Sequence, residues 1–475
     1  MRLLTLLARG TSAVMLAGAI AALPAAGRAT IYDADPSNYE SILDDLVAGD
    51  TMRLAPGQYV RLTLQDLHGT PSAWITITGP TSGAPAVIQS ESCCNTVQLY
   101  DCSYLAIKYL TIDGEGLDVD GINSKGYISH DILIEGCRLI RFDNYQGTIG
   151  ISTKETTWNW TIRNNTIITP GTGIYLGNSE GDAPFINGVI EGNYIINPIG
   201  YCMEIKHQLP YSSAPGMPAG PNRTIIRNNV FIKDDRPAEA GDRPNLLVGP
   251  FPSSLPGRDD LYEIYGNLLY NNPRESLFQG SGRMTIHDNI FVASSPDPGF
   301  GAIFLTDHNG ALSYATVYNN TIYGAGDGIV FATPPRTYGL VTGNLVFSDA
   351  PIVTCGSCSG VTVRDNVTAP VASAAGYVNQ PSSTLGAMDF YPRTDCDPCT
   401  GSPLDLTPVL NDRDYAFDFN GTSKGSLSYR GAYAGAGVNP GWRLIDGPKV
   451  GGPSSGGGGT SDTIPPSPPI GLHAR

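Results

Sequence analysis

The sequence is poor in charged residues, and the basic ones are the scarcer kind. Asp, Glu, Lys and Arg make up only 15% of its 475 residues, and 44 acidic residues against 29 basic ones give a net charge of −15. This balance argues against general binding to nucleic acid or to an anionic membrane, because both attract proteins through clustered positive charge. An acidic surface is compatible with bound Ca²⁺, and it does not exclude a local basic groove.

Long apolar runs are also missing beyond the first part of the chain. The run TSAVMLAGAIAAL follows Arg2 and Arg9 and precedes the small residues of PAAGRA. It is too short for a convincing membrane anchor, and its flanks are those of a secretory signal peptide, which we assign to residues 1–29. We therefore expect a protein that is secreted, periplasmic or held at the cell surface, with no membrane partner.

Histidine is scarce near the cysteines. The motifs CGSC (Cys355, Cys358) and CDPC (Cys396, Cys399) have no histidine close by. A zinc site would need the two pairs to converge. Nine cysteines fit an exported protein in an oxidising compartment. We therefore expect each of the two motifs to form a short-range disulfide.

What the sequence does contain is glycine, proline and a repeated phrase. The 57 glycines and 37 prolines indicate many turns, and between them recur segments such as IRNNTII (162–168), IEGNYII (190–196) and IRNNVFI (226–232). The asparagine of this phrase returns at Asn165, Asn193, Asn229, Asn267, Asn289, Asn320, Asn344 and Asn366. A spacing that falls to 22 residues, with variable insertions, is typical of a solenoid.

The repeated phrase alternates apolar and polar residues, which predicts strands rather than helices. Asparagine suits a corner between strands because it tolerates the left-handed region, and asparagines stacked in successive coils predict a ladder of amide hydrogen bonds. The repeat resembles the right-handed parallel β-helix of secreted polysaccharide-active enzymes. The resemblance implies an all-β fold, a right-handed parallel β-helix solenoid of about ten coils over residues 30–395.

The two ends of the predicted solenoid have their own patterns. PSNYESILDDLVAG carries Tyr39, Ile42, Leu43, Leu46 and Val47 at helical spacing, which predicts an N-terminal capping helix. Residues 396–445 are expected to cap the C-terminal end of the β-helix. Residues 446–475 are rich in Gly, Ser and Pro, so we expect a flexible tail.

One predicted strand, GYCMEIKHQ (200–208), concentrates reactive side chains, because Glu204, Lys206 and His207 fall within four residues. Strand alternation places Ile205 inward and Lys206 outward. Aligning the equivalent strands by their apolar residues gives an inward column of Leu176, Ile205, Val248, Phe278, Leu305 and Phe331. The residues that follow form an outward column of Gly177, Lys206, Gly249, Gln279, Thr306 and Ala332. An ordinary solvated strand would show the same pattern, so a polar groove beside Lys206 is the more specific of two interpretations.

The segment CMEIKHQ…RTIIRNNVF is similar to the motif region of the chondroitinase B and alginate lyase group. The resemblance implies β-elimination beside a uronic acid, with Glu204 as a Ca²⁺ ligand and Lys206 as the base. His207 would then be the acid, and Arg243 would neutralise the carboxylate of the substrate. The residues predicted to bind substrate are Arg227, Gln208, Gln279, Asp307, His308 and Asn309. The family pattern is not complete, because Cys202 replaces the first acid and Gly249 the arginine.

A second candidate Ca²⁺ site lies in DGEGLDVDG (113–121), where Asp113, Glu115, Asp118 and Asp120 offer carboxylates. The alternative for this segment is an acidic, solvated turn.

These observations predict a secreted, monomeric, carbohydrate-active β-helix, with a lyase acting on an acidic polysaccharide as the leading function. An epimerase would abstract the same C5 proton. A hydrolase needs paired carboxylates, and Glu204 and Asp307 are no close pair. The alternative of another class is a non-catalytic glycan-binding or adhesion module, since a long solenoid displays a large surface.

Overall fold

The structure is a computed structural model that describes residues 29–293, 301–324 and 326–450. The predicted signal peptide, apart from its last residue, and the predicted tail beyond residue 450 lie outside the described residues. Within the described part of the chain, none of the helices has the length and apolar character needed to cross a membrane.

The described chain winds through three parallel sheets, and successive coils contribute one strand to each sheet in turn. Sheet 1 contains the strands Ile31–Ala34, Thr51–Leu54, Ile75–Thr78, Ser103–Lys108, Ser129–Glu135, Thr161–Arg163, Val189–Glu191, Arg223–Arg227, Leu261–Tyr265, Gly282–His287, Leu312–Tyr318, Tyr338–Thr342 and Val361–Arg364, with Thr157–Trp158 and Phe185–Ile186 paired at its side. Sheet 2 contains Gly57–Val60, Ala86–Gln89, Thr111–Asp113, Arg138–Ile140, Thr166–Ile168, Tyr194–Ile196, Val230–Ile232, Leu268–Tyr270, Ile290–Val292, Thr321–Tyr323, Leu345–Phe347 and Val367–Ala369. Sheet 3 contains Leu62–Gln65, Val97–Tyr100, Ile122–Ser124, Ile149–Thr153, Thr172–Leu176, Met203–Ile205, Leu246–Val248, Phe278–Gly280, Ile303–Leu305, Asp327–Phe331 and Ala350–Thr354.

This arrangement confirms the predicted right-handed parallel β-helix. The described strands number 13 along sheet 1, 12 in sheet 2 and 11 in sheet 3, slightly more than the expected ten coils. Regular structure outside the three sheets comprises the α-helix Tyr39–Leu43, the antiparallel pair Val378–Gln380 and Asp389–Pro392, and the 3₁₀ turns Val371–Gly376, Asp397–Cys399 and Thr407–Val409.

The core fills the interior of the coils, because alternate strand residues point inward and stack with their equivalents in the coils above and below. In sheet 3 the inward column is Leu176, Ile205, Val248, Gly280, Leu305 and Phe331. The predicted direction of Ile205 is confirmed, since its side chain is fully buried.

One strand, Phe278–Gly280, departs from the predicted alignment by two residues. Gly280 rather than Phe278 stands in the inward column. Gln279 consequently lies in the outward column of Glu204, and its predicted place beside Lys206 is wrong. A shift of two residues keeps each side chain on its own face of the sheet, so Phe278 is still buried.

The predicted asparagine ladder is present at the corner between sheets 1 and 2. Asn267 donates from Nδ2 to Asn289 Oδ1 at 2.9 Å, and its own Oδ1 accepts from Asn229 Nδ2 at 3.0 Å. The left-handed position is the residue before the ladder asparagine, such as Gly266 (φ 67°) or Asp288 (φ 52°). The prediction that asparagine adopts the left-handed region here is therefore wrong, since its neighbour makes the turn, whereas its buried amide links the coils and also donates to backbone carbonyls such as that of Ile226.

The predicted N-terminal helix is a single turn, Tyr39–Leu43. Tyr39, Leu43 and the following Leu46 are buried in the main core, whereas Val47 is exposed. That this turn protects the end of the solenoid stays a prediction.

The C-terminal segment packs along the side of the solenoid. Phe419, Tyr433 and Trp442 belong to an apolar cluster with outward side chains of sheet 2, such as Val230 and Leu268. Leu404, Leu406 and Val409 form a second cluster with Tyr318 of sheet 1. Both clusters therefore lie on the outer faces of sheets 1 and 2, and not on the outer face of sheet 3.

Lys449 lies in the stretch that the sequence assigned to a flexible tail, yet its amine is buried. It donates to Asn228 Oδ1 at 2.9 Å and to the carbonyl oxygens of Gly266 and Phe419 at 2.7 Å each. Residues up to 449 are therefore tied to the solenoid.

The disulfides predicted for the two short motifs are present. Three bonds join Cys93 to Cys94, Cys355 to Cys358 and Cys396 to Cys399. The other three cysteines, Cys102, Cys137 and Cys202, are buried free thiols.

Candidate active site on the outer face of sheet 3

The outward side chains of sheet 3 form two parallel columns that run along the solenoid axis. Within the strands the first column is Gln98, Asn123, Ser152, Tyr175 and Glu204. The second column lies two residues further along each coil and consists of Tyr100, Lys125, Lys154, Gly177 and Lys206. Adjacent strands are ~4.8 Å apart, so these ten residues, which we call the polar strip, extend for roughly 20 Å. Three of the second column are lysines, on a protein whose net charge is −15.

Glu204 and Lys206 lie on the same face because two residues separate equivalent directions in a strand. Lys206 Nζ is 2.9 Å from Glu204 Oε1, and the two side chains are 17% and 4% exposed. Burial raises the pKa of Glu204 above its usual range, even though the Lys206 charge acts to lower it. The pair is therefore a largely dehydrated ion pair at one end of the polar strip.

Tyr175 lies one rung from Glu204, and its ring contacts two amines. Lys154 Nζ is 4.4 Å from the ring centroid and Lys206 Nζ is 5.6 Å from it, which are cation–π distances. The hydroxyl of Tyr175 is 2.9 Å from Ser179 Oγ. Burial lowers the pKa of Lys154, and the carboxylate of Asp120 acts against that change.

Asp120 fixes two residues of the polar strip through hydrogen bonds. Its Oδ2 accepts hydrogen bonds from Ser152 Oγ and Asn123 Nδ2, each at 3.0 Å, and its Oδ1 accepts one from the backbone N–H of Ile149 at 3.0 Å. Burial raises the pKa of this carboxyl, with the nearby Lys154 acting to lower it. A carboxylate held by three donors positions its neighbours and has little freedom to take part in chemistry itself.

Arg243 lies beside the Glu204 end of the strip. Its guanidinium carbon is 5.7 Å from the ring centroid of Tyr201, and its charge acts to lower the pKa of Glu204. Its Nη1 and Nη2 donate to backbone oxygens of Asp242 and Ala240, which fixes the side chain. Arg243 thus lies near Glu204, and its role toward a substrate carboxylate stays a prediction.

The two predicted histidines flank the same end. His207 packs against Gly181, and its buried Nδ1 has no hydrogen-bond partner among the described residues. His308 is exposed, and partial burial with the nearby Lys206 and His207 charges lowers its pKa. Gly249 makes this packing possible, because a Cβ there would overlap the backbone nitrogen of His207.

Four of the predicted substrate-binding residues do not join the polar strip. Arg227 is buried on sheet 1, where it donates to Glu191 at 2.8 Å and Tyr265 at 3.0 Å. Gln208 is buried and donates to the carbonyl of Phe185. The other two, Asp307 and Asn309, lie in an exposed turn, where Asp307 is held by Arg336 and Asn309 has a positive φ.

The surroundings of Glu204 do not fit a Ca²⁺ site. The charges of Lys206, Arg243 and Lys154 all act on this carboxyl, so a divalent cation would meet three positive side chains. Cys202, which stands where the family pattern has a second acid, has its thiol buried in the core. Calcium needs several oxygen ligands, and this site offers one carboxylate.

The acidic segment at residues 113–121 does not gather its carboxylates either. Arg141 binds Asp113 at 2.6 Å and Glu115 at 2.8 Å, while Asp120 points into the polar strip. Elsewhere, Asp66, His68 and Asp101 have potential ligand atoms within 4.8 Å of one another, but all three side chains are exposed.

Lys125, Lys154 and Tyr175 are the site residues that sequence reasoning missed. The signal was present, since each lysine follows an alternating strand, but the predicted column began only at Gly177. Extending the same alignment two strands toward the N-terminus would have found both lysines.

Comparison with known proteins supplies no family, because no family model and no curated protein matches the chain. Pectate lyase Pel9A is 13% identical with a TM-score of 0.46, and the alignment covers 89% of this chain and 96% of that one. The PL6 family polysaccharide lyase Pedsa3628 from Pseudopedobacter saltans is 13% identical with a TM-score of 0.44, covering 72% and 93%. The GH136 lacto-N-biosidase from Eubacterium ramulus is 12% identical with a TM-score of 0.44, covering 71% and 67%.

The three parallel sheets by themselves define a parallel β-helix protein. Its candidate site is the polar strip on sheet 3, with Arg243, His207 and His308 at one end.

Proposed function

We propose that this protein is a secreted polysaccharide lyase that cleaves an acidic, uronic-acid-containing polysaccharide by β-elimination. The observation that carries the proposal is the row of Lys125, Lys154 and Lys206 along the solenoid axis, beside the dehydrated Glu204. A linear polyanion lying along this row would meet positive charge at three of its five rungs.

The chemistry requires two things of the site. The C5 proton of a uronate becomes acidic enough to remove only when the adjacent carboxylate is neutralised, since negative charge develops there in the transition state. In this proposal Arg243 and Lys206 supply that positive charge in place of Ca²⁺. A lysine of the same row then acts as the base.

The test is to incubate the purified protein with alginate, pectate and chondroitin and to follow absorbance of the unsaturated product. We expect turnover of at least one uronan, and we expect a chelator to leave the rate unchanged. No absorbance change on any uronan, with or without Ca²⁺, would rule out a lyase.

A non-catalytic glycan-binding module is the second candidate. It is favoured by the half-buried Tyr100 and the exposed Tyr127 at the far end of the strip, whose rings are 6.2 Å apart and suit contact with sugar rings. Binding on a glycan array by a protein that turns over none of the bound polymers would support this alternative.

A further inference from the structure

Two amines of the polar strip, those of Lys154 and Lys206, both lie over the Tyr175 ring but differ in their other partners. Lys206 Nζ donates a hydrogen bond to Glu204 Oε1 at 2.9 Å, so this amine already has a carboxylate partner. Among the described residues Lys154 Nζ has neither a hydrogen-bond nor an ion-pair partner, and it lies 4.4 Å from the centroid of the Tyr175 ring. The two amines are therefore not equivalent as bases.

We infer that Lys154, and not Lys206, removes the C5 proton of the bound uronate; this inference rests on the lyase function proposed above. Lys206 then neutralises the carboxylate of the same sugar, together with Arg243. The two lysines are two rungs apart, roughly 10 Å along the sheet, and both amines lie over the Tyr175 ring, so one sugar unit resting on this ring would reach both.

The electrostatic surroundings of Lys154 agree with this role. Burial lowers its pKa, and two neighbouring positive charges lower it further while two carboxylates oppose the change. The groups that act on it in this way are Asp120, Lys125, Glu204 and Lys206. A lysine must lose its proton to act as a base near neutral pH, and dehydration next to like charge is the usual cause.

The proposed step balances in atoms and electrons. The lone pair of Lys154 Nζ takes the proton from C5, and the C5–H bonding electrons form the C4–C5 double bond. The C4–O4 bond breaks with its electrons on O4, which takes a proton from water. The ammonium of Lys154 returns its proton to water afterwards, so no oxidant or reductant is needed.

The experiment compares wild type, Lys154→Ala, Lys154→Cys and Lys206→Ala on the uronan that the wild type degrades, with the exposed Arg53→Ala as the control on sheet 1. We expect Lys154→Ala to lose on the order of 10² to 10⁴ in kcat with KM nearly unchanged, and Lys206→Ala chiefly to raise KM. Treating Lys154→Cys with bromoethylamine replaces the lysine with its sulfur-containing analogue and should restore activity. The native free thiols are buried, and wild type treated in parallel controls for their modification.

The outcomes separate this inference from the proposed function. If wild type degrades a uronan and Lys154→Ala keeps its kcat, the assignment of the base is wrong while the lyase stands. If Lys154→Ala is inactive but the aminoethylated Cys variant stays inactive too, Lys154 holds the structure and is not the base. If wild type degrades no uronan, the proposed function and this inference both fail.

Discussion

At the scale of single residues, Glu204 and Lys206 combine a chemical and a structural role. The sequence predicted only that Lys206 points outward from its strand. In the structure it is the ion-pair partner of a carboxylate that is only 4% exposed. Removal of the lysine leaves that carboxylate buried without a counter-charge. This lowers the stability of the fold unless the carboxyl takes up a proton.

We therefore predict that Lys206→Met lowers the stability of the fold by about 1–3 kcal/mol at neutral pH. The deficit should shrink on acidification. Burial raises the pKa of Glu204 in the folded state above its unfolded value of ~4.3. The contribution of this protonated carboxyl to the stability of the fold is therefore fully present below the unfolded pKa and is lost as pH rises through the folded pKa. Thermal melts from pH 4 to pH 8 measure the effect.

The matched control for that prediction is the double variant Lys206→Met with Glu204→Gln, which removes the stranded charge. It should be more stable than the single variant at neutral pH, and its deficit should not change over the acid range. Equal deficits for the single and double variants at all pH values would show that lost packing of the lysine, and not the buried carboxylate, causes the destabilisation.

At the scale of elements, the asparagine ladder ties each coil to the next at the corner between sheets 1 and 2. Asn267 takes part in five hydrogen bonds between coils, to Asn229 and Ile226 on one side and to Asn289 on the other. All of these groups are buried, so none can turn to water when a partner is lost.

Asn267→Ala should consequently destabilise the protein by about 1–3 kcal/mol, because it leaves buried donors of Asn229 without an acceptor. The control is Asn144→Ala, where an exposed amide makes one bond to the carbonyl of Gly116. That change should stay within about 0.5 kcal/mol of wild type. Melting temperatures compare the two, and an equal loss in both variants would contradict the importance of the ladder.

At the scale of the whole molecule, the C-terminal segment returns along the solenoid and is fixed there by buried polar contacts. Lys449 is the last of these, with three acceptors around its amine. Burial lowers the pKa of Lys449 to about 7, although Asp418 and Asp288 act to raise it. The attachment of the C-terminal segment to the solenoid therefore depends on pH.

The sign of that linkage gives a prediction for Lys449→Met. Because the folded pKa is depressed from ~10.4 to about 7, the contribution of this group to stability is fully present above the unfolded value and is lost as pH falls through the folded value. The melting temperature of wild type minus that of Lys449→Met should therefore rise between pH 7 and pH 10. A difference that is constant over this range would show that Lys449 titrates normally.

Much of the fold could be predicted from sequence because two of its signals, strand alternation and the repeated asparagine, are local. Strand alternation assigned Ile205 to the core and Lys206 to the outer face correctly. The alignment of Phe278 failed, since a shift of two residues keeps the same face and alternation alone cannot detect it. Gln208 and Arg227 were assigned to substrate for their chemistry, whereas both are buried through contacts with residues far away in the chain, such as Phe185 and Tyr265.

The sequence by itself determined that this chain is a solenoid of stacked strands, because one repeat cannot bury its own apolar face, and the resemblance of the repeat implied the parallel β-helix. Only the tertiary structure decided which residues of different coils become neighbours. Coils differ in length by their insertions, so Lys154 and Lys206 are far apart in the chain yet two rungs apart on sheet 3. Register is set by backbone hydrogen bonds between whole strands, and for that reason the candidate site became visible only once the strands were paired.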